Sequence, residues 1–216
     1  MKATFYSNTK PLGTIDMKTI DQSMGVVGGR LTPNAAYFEL QPFFRRSKGQ
    51  YNNEIEQLTL NIQLENGCFL QPAGGFSIMD TTVFPDEITI EIVGSNYFMI
   101  FDTLDDGPPS TFLTAPWHPL SIETKIALED EVRRKVRSFG GNNLLAQHQY
   151  FALADFGPED DVLCYVTGKN EYSFAVVHLT WTTNPDNSPS YPAIEFYRDF
   201  EDFKKARMIP TSKGRE

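Results

Sequence analysis

Residues 161–181, "DVLCYVTGKNEYSFAVVHLTW", decide how this chain is to be understood. Two apolar runs, 161–166 and 172–181, flank the polar tetrapeptide "TGKN" at 167–170. Runs rich in Val, Leu, Tyr, Phe and Trp around a short Gly- and Asn-bearing break predict a β-hairpin. The hairpin carries Cys164 and His178, so these residues are either chemistry or core. A general base needs a carboxylate or another partner within hydrogen-bond reach. Along a strand, Val176 and Thr180 share the side of His178, and neither titrates; Ala175, Val177 and Leu179 point the other way. The sequence therefore favours a packed His178, its ring nitrogens satisfied by a backbone carbonyl or the Thr180 hydroxyl, with Trp181 as a core lid. Cys164 and His178 on neighbouring strands could also form a nucleophile pair. Against that, "VLCYV" is a setting in which cysteine packs as a small hydrophobe, and no glycine loop adjoins it to hold an oxyanion.

Beyond the hairpin comes the loop "TTNPDNSPSYP" (182–192), then a short strand "AIEFY" (193–197) and a closing helix over 199–208. Asp199, Glu201 and Asp202 stand at the start of that helix and Lys204, Lys205 and Arg207 at its end, the order its dipole prefers. Phe200 and Phe203 are spaced to face the hairpin. Before the hairpin, "SIETKIALEDEVRRKVRS" (121–138) is the clearest helix: Ser121 caps it, and Ile122, Ile126, Leu128, Val132 and Val136 form an apolar stripe. The Pro- and Gly-rich stretch 102–120 precedes it as the best domain boundary.

The first half is strand-like. "LTLNIQL" (58–64) and "ITIEI" (88–92) alternate with period two, as antiparallel strands with one wet face do. "ENG" (65–67) predicts a hairpin turn. "ATFYS" (3–7) and "GVVGGRL" (25–31) are further strand candidates. "NAAYFELQPFFRRSK" (34–48) favours helix, with Pro42 expected to kink or end it.

The totals narrow the function classes. The chain has 216 residues, 40% hydrophobic, with 17 Phe and 9 Tyr, too apolar for a disordered chain. Nineteen basic against 28 acidic residues give a net charge of -9, which disfavours nucleic acid and anionic membranes and suits a basic protein partner. No stretch has the length of a membrane span, and no apolar signal segment opens the chain, so a cytoplasmic protein is expected. Cys68 and Cys164 lie far apart and read as reduced thiols. His118, His148 and His178 have no metal-ligand spacing, and "GVVGGR" (25–30) lacks the order of a nucleotide loop, so neither metal nor cofactor is expected. The acidic clusters at 105–106, 128–131 and 157–161 are either solvated faces or a surface for a basic partner.

The run "DDVLCYV…YSFAVVHLTW…YPAIEFYRDFEDFKKARM", with "MGVVGGRLTPNAAYFELQPFFR" (24–45) and "WHPLSIETKIALEDEV" (117–132), resembles a widespread set of bacterial cytosolic proteins. Small acidic proteins of that kind resemble the immunity partners of bacterial polymorphic toxins. The resemblance implies a non-catalytic inhibitor that occludes a cognate, basic toxin domain. The residues expected at that contact, chosen by charge and loop position, are Asp105, Asp106, Glu159, Asp160 and Asp161. The competing functions are a small hydrolase or transferase using Cys164 and His178, and a structural or adaptor subunit of a bacterial assembly. The expected fold is α+β: an antiparallel β-rich part (1–118) with one helix, a connecting helix (119–141), and a ββ-loop-βα module (142–216).

Overall fold

The computed structural model describes residues 1–47, 53–101, 111–138, 148–157, 160–168, 171–179 and 193–213. The chain is α+β, and its described residues form twelve strands in two antiparallel sheets and few helices. It divides into two compact units, Met1–Phe112 and Leu113–Glu216.

The first unit holds a seven-stranded sheet. Its strands are β1 (Lys2–Ser7), β2 (Lys10–Asp21), β3 (Val26–Pro33), β4 (Leu60–Leu64), β5 (Phe69–Leu70), β6 (Phe76–Met79) and β7 (Thr89–Ile92). They run in the order β5-β4-β1-β2-β3-β7-β6, leaving β5 and β6 at the edges. The period-two alternation sets the buried face: Ile88, Ile90 and Ile92 are buried while Thr89 and Glu91 are half-buried. Gly67, at a φ of 88°, closes the β4–β5 turn that "ENG" predicts. The glycines of "GVVGGR" serve strand packing. A Cβ on Gly29 would sit 1.9 Å from the Asp16 carbonyl oxygen, and one on Gly28 would sit 2.5 Å from that of Ile90.

Helix α1 (Ala35–Ser47) packs on β2, β3 and β6. Tyr37 stacks on Phe44 at 5.1 Å, and Phe44 and Phe76 each lie 6.3 Å from Phe5. Of the two outcomes expected at Pro42, a kink or an end, the helix does not end there: α1 continues to Ser47. Three side chains that span it are tied to one buried carboxylate: the Tyr37 hydroxyl, Gln41 Nε2 and Arg45 Nε each donate to Asp80 at 2.9 Å. Those anchors hold the turns on both sides of the proline. Two short helices, α2 (Asn53–Glu56) and α3 (Tyr97–Ile100), complete this unit.

The second unit has a five-stranded sheet in the order β12-β11-β10-β9-β8, from β8 (Trp117–Pro119), β9 (His148–Phe156), β10 (Asp161–Gly168), β11 (Phe174–His178) and β12 (Ile194–Tyr197). Helix α4 (Ile122–Ser138) packs on β9. It is therefore part of this unit, where the sequence suggested a connector, and the division falls at Phe112 within the Pro- and Gly-rich stretch. Ser121 Oγ accepts from Thr124 N, as a cap should. The inner face of α4 is more polar than the expected stripe: Lys125, Glu129 and Lys135 are buried beside Ile122, Leu128 and Val132.

The C-terminal helix is composite: α5 (Phe200–Phe203), a π-helical turn (Lys204–Met208) and α6 (Ile209–Lys213). Asp199 caps it by accepting from Asp202 N at 2.8 Å. Phe203 makes edge-on contacts with Trp117 and Tyr197 at 5.1 and 5.6 Å. Trp181 lies outside the described residues. No helix among the described residues is long and apolar enough to cross a membrane.

Candidate functional site

The strands predicted at 161–166 and 172–181 pair antiparallel as β10 and β11, with Lys169, Asn170, Thr180 and Trp181 outside the described residues, and their register fixes the neighbours of His178. Across the β10–β11 pair, Asp161 faces His178 and Cys164 faces Ala175. Residues opposite each other on antiparallel strands share a face. The His178 ring thus meets a carboxylate that is seventeen positions away in sequence. His178 Nδ1 lies 2.7 Å from Asp161 Oδ1. A carboxylate accepts, so Nδ1 carries the proton of that bond. The imidazole is 37% exposed. This corrects the packed histidine of the sequence analysis: the ring is half open to solvent and bound to a titratable group.

Asp161 itself is almost fully buried. Its other oxygen accepts from Arg207 Nη2 at 2.5 Å. Arg207 is carried by the π-helical turn, a rare geometry that re-aims side chains and recurs at functional sites. Burial opposes the charge on Arg207, but the bond to Asp161 and the nearby Glu195 outweigh it and raise its pKa. Tyr197 lies in the same group; its hydroxyl donates to Glu195 Oε2 at 2.6 Å, and burial together with that bond pushes its pKa up.

Asp160 precedes Asp161 with a φ of 54° and an exposed side chain. It belongs to the rim of a cleft of about 430 Å³. Glu123 from the first turn of α4, Asp155 from the end of β9, Asp160 and the backbone position of Asp161 line this cleft together with Leu128, Phe156 and Val162. Burial raises the Asp155 pKa, and its strand partner His118 only partly offsets this. The cleft thus holds an acid whose charge is under-solvated. Such a site gains when a cation enters.

The thiols offer no chemistry here. Cys164 and Cys68 are both fully buried, and burial raises both pKa values. Cys164 is three residues along β10 from Asp161, about 10 Å at strand spacing. Among the described residues no group of three or more His, Cys, Asp or Glu side chains is placed to hold a metal ion.

Of the five acidic residues singled out by charge, Asp105, Asp106 and Glu159 lie outside the described residues. Asp160 sits exposed at the cleft, and Asp161 is turned inward. Sequence reasoning missed Glu123, Asp155 and Arg207. Glu123 was visible only as a helix-start acid and Asp155 only as an isolated acid before "FGPEDD". Comparison of the chain with known protein families, with curated proteins and with solved structures finds no match.

Proposed function

We propose that this chain is a non-catalytic binding protein that neutralises a cognate, basic toxin domain by occlusion, and that it meets that partner through its acidic exterior. The supporting observation is the cleft of the second unit: its rim carries Glu123, Asp155 and Asp160, and Asp155 is held protonated to a higher pH by burial. A lysine or arginine side chain entering there would restore the solvation that Asp155 lacks. The net charge of -9 would steer such a partner from a distance and raise the rate of encounter.

The test is co-expression of the chain with the protein encoded beside its own gene. The expected result is a stable complex and restored growth of cells that make the toxin. The double variant E123K/D160K slows association at low salt and leaves dissociation nearly unchanged. H178N protects as well as the native chain. Loss of protection in H178N with binding intact would overturn the occlusion reading.

One observation favours a second reading. His178 is part-exposed and its Nδ1 is fixed on Asp161, an arrangement that suits a general base. Cys164, the nucleophile foreseen for such a centre, is sealed in the core and faces Ala175 instead. An acid–base role would therefore use water or a substrate group as the nucleophile, and the same H178N experiment separates it from occlusion.

A further inference from the structure

Residues 81–87, "TTVFPDE", leave the edge strand β6 and return into β7. Val83 is 74% exposed and Phe84 is 60% exposed; among the described residues no large hydrophobic side chain is more exposed than Val83. Met79, at the end of β6, adds a third exposed apolar group. A flexible loop would fold such side chains back onto the protein. This one is held open. It starts at Asp80, which is locked by Tyr37, Gln41 and Arg45. Inside it, Phe84 N donates to Thr81 Oγ1 at 3.2 Å. Glu87 N donates to the Phe84 carbonyl at 3.1 Å, closing a turn whose second residue is Pro85. The Asp86 carbonyl accepts from Arg30 Nη2 at 2.7 Å, and the Ile88 carbonyl accepts from Leu31 N at 2.8 Å where the chain enters β7.

An ordered loop that projects an aromatic ring loses little conformational entropy when it docks. Asp86 and Glu87 are exposed beside that ring. These features define a partner chemistry. A second copy docked loop to loop about a two-fold axis would set the same acids against each other. Anionic lipid and nucleic acid meet the same charge. A protein surface with an apolar depression rimmed by Lys and Arg satisfies both the ring and the acids.

We infer that the Thr81–Glu87 loop is an anchor by which the chain docks on a basic protein, with Phe84 and Val83 filling an apolar depression and Asp86 and Glu87 meeting its basic rim. This rests on the occlusion reading above and adds to it a contact in the first unit.

Two photo-crosslinking chains test it in the native cell, one with benzoylphenylalanine replacing Phe84 and one with it replacing Ala127 at the acidic cleft. The loop inference predicts a cross-link from position 84 to a basic protein. That protein, purified, then binds the native chain. F84A weakens the complex tenfold to thirtyfold, the range of an aromatic hot spot, at an unchanged melting temperature. D86K/E87K slows association and flattens its salt dependence. A basic protein captured only from position 127 overturns the loop inference and leaves the occlusion reading standing. Capture of neither kind overturns both. A cross-link from position 84 within the chain, to a second copy or to lipid overturns the loop inference, as does unchanged affinity in F84A.

Discussion

Asp160 and Asp161 are adjacent and chemically identical, yet the backbone sends them to opposite environments. Asp160 adopts a positive φ, and its carbonyl accepts from Leu179 N at 3.0 Å, extending the hairpin ladder by one rung. That conformation leaves its side chain outside and turns Asp161 under Arg207 and beside His178. The two should respond differently to the same change. D161N leaves a part-buried guanidinium and a half-exposed imidazole with a weaker partner and costs about 2 kcal/mol. D160N stays within about 0.5 kcal/mol. Urea unfolding midpoints compare them, and equal midpoints would show that Asp161 is not bound as described. Asp155 gives a pH-dependent case. Its folded-state pKa is raised, so the folded chain holds that proton more tightly than the unfolded chain does. Its burden on stability is therefore present above the folded pKa, and it is relieved as pH falls through the carboxylate range to below the unfolded pKa. D155N should melt higher than the native chain at pH 7, with the gap closing towards pH 3. A gap that is constant with pH would contradict this.

At the scale of elements, the helix α4 buries charge to serve a strand. Lys125 Nζ and Glu129 Oε1 lie 2.5 Å apart, both buried, and the same Glu129 oxygen accepts from Ala152 N at 3.0 Å. Ala152 adjoins a bulge: Ala154 faces Leu163 and Ala152 faces Cys164, so Leu153 is the extra residue. Glu129 satisfies a backbone donor beside that irregularity. E129Q alone removes the anion bonded to the buried Lys125 ammonium and costs on the order of 3 kcal/mol. K125M/E129Q removes the charge, keeps an acceptor for Ala152 and recovers most of the loss; a double variant no better than E129Q would refute the pairing. The bulge also explains what the sequence concealed. β4 and β7 were legible because their alternation is unbroken. β9, "HQYFALADF", was not, because the inserted residue makes three consecutive positions, Ala152 to Ala154, buried and breaks the period-two signal. The buried Lys125, Glu129 and Lys135 were hidden for a related reason: helical periodicity locates an apolar stripe but not which charges are paired beneath it. The π-helical turn has no sequence signature distinct from α-helix, so the aim of Arg207 could not be foreseen.

At the scale of the molecule, two units each carry their own sheet and core, and the acidic excess lies over a chain whose thiols are sealed away. The α+β class followed from the alternating strands and the capped helix. The candidate site was half legible. Charge pointed to the "EDD" turn, but only strand register could pair Asp161 with His178, and only the packing of α4 on β9 could bring Glu123 and Asp155 to one cleft. The central claim is that the exterior charge of this chain captures a basic partner. The most direct measurement is the association rate with the proposed basic partner, followed at 20 and 200 mM salt for the native chain and for E123K/D160K. The account predicts a native rate that falls by on the order of tenfold as salt rises, and a variant that is slow at both concentrations. A native rate indifferent to salt and equal to that of the variant would contradict it.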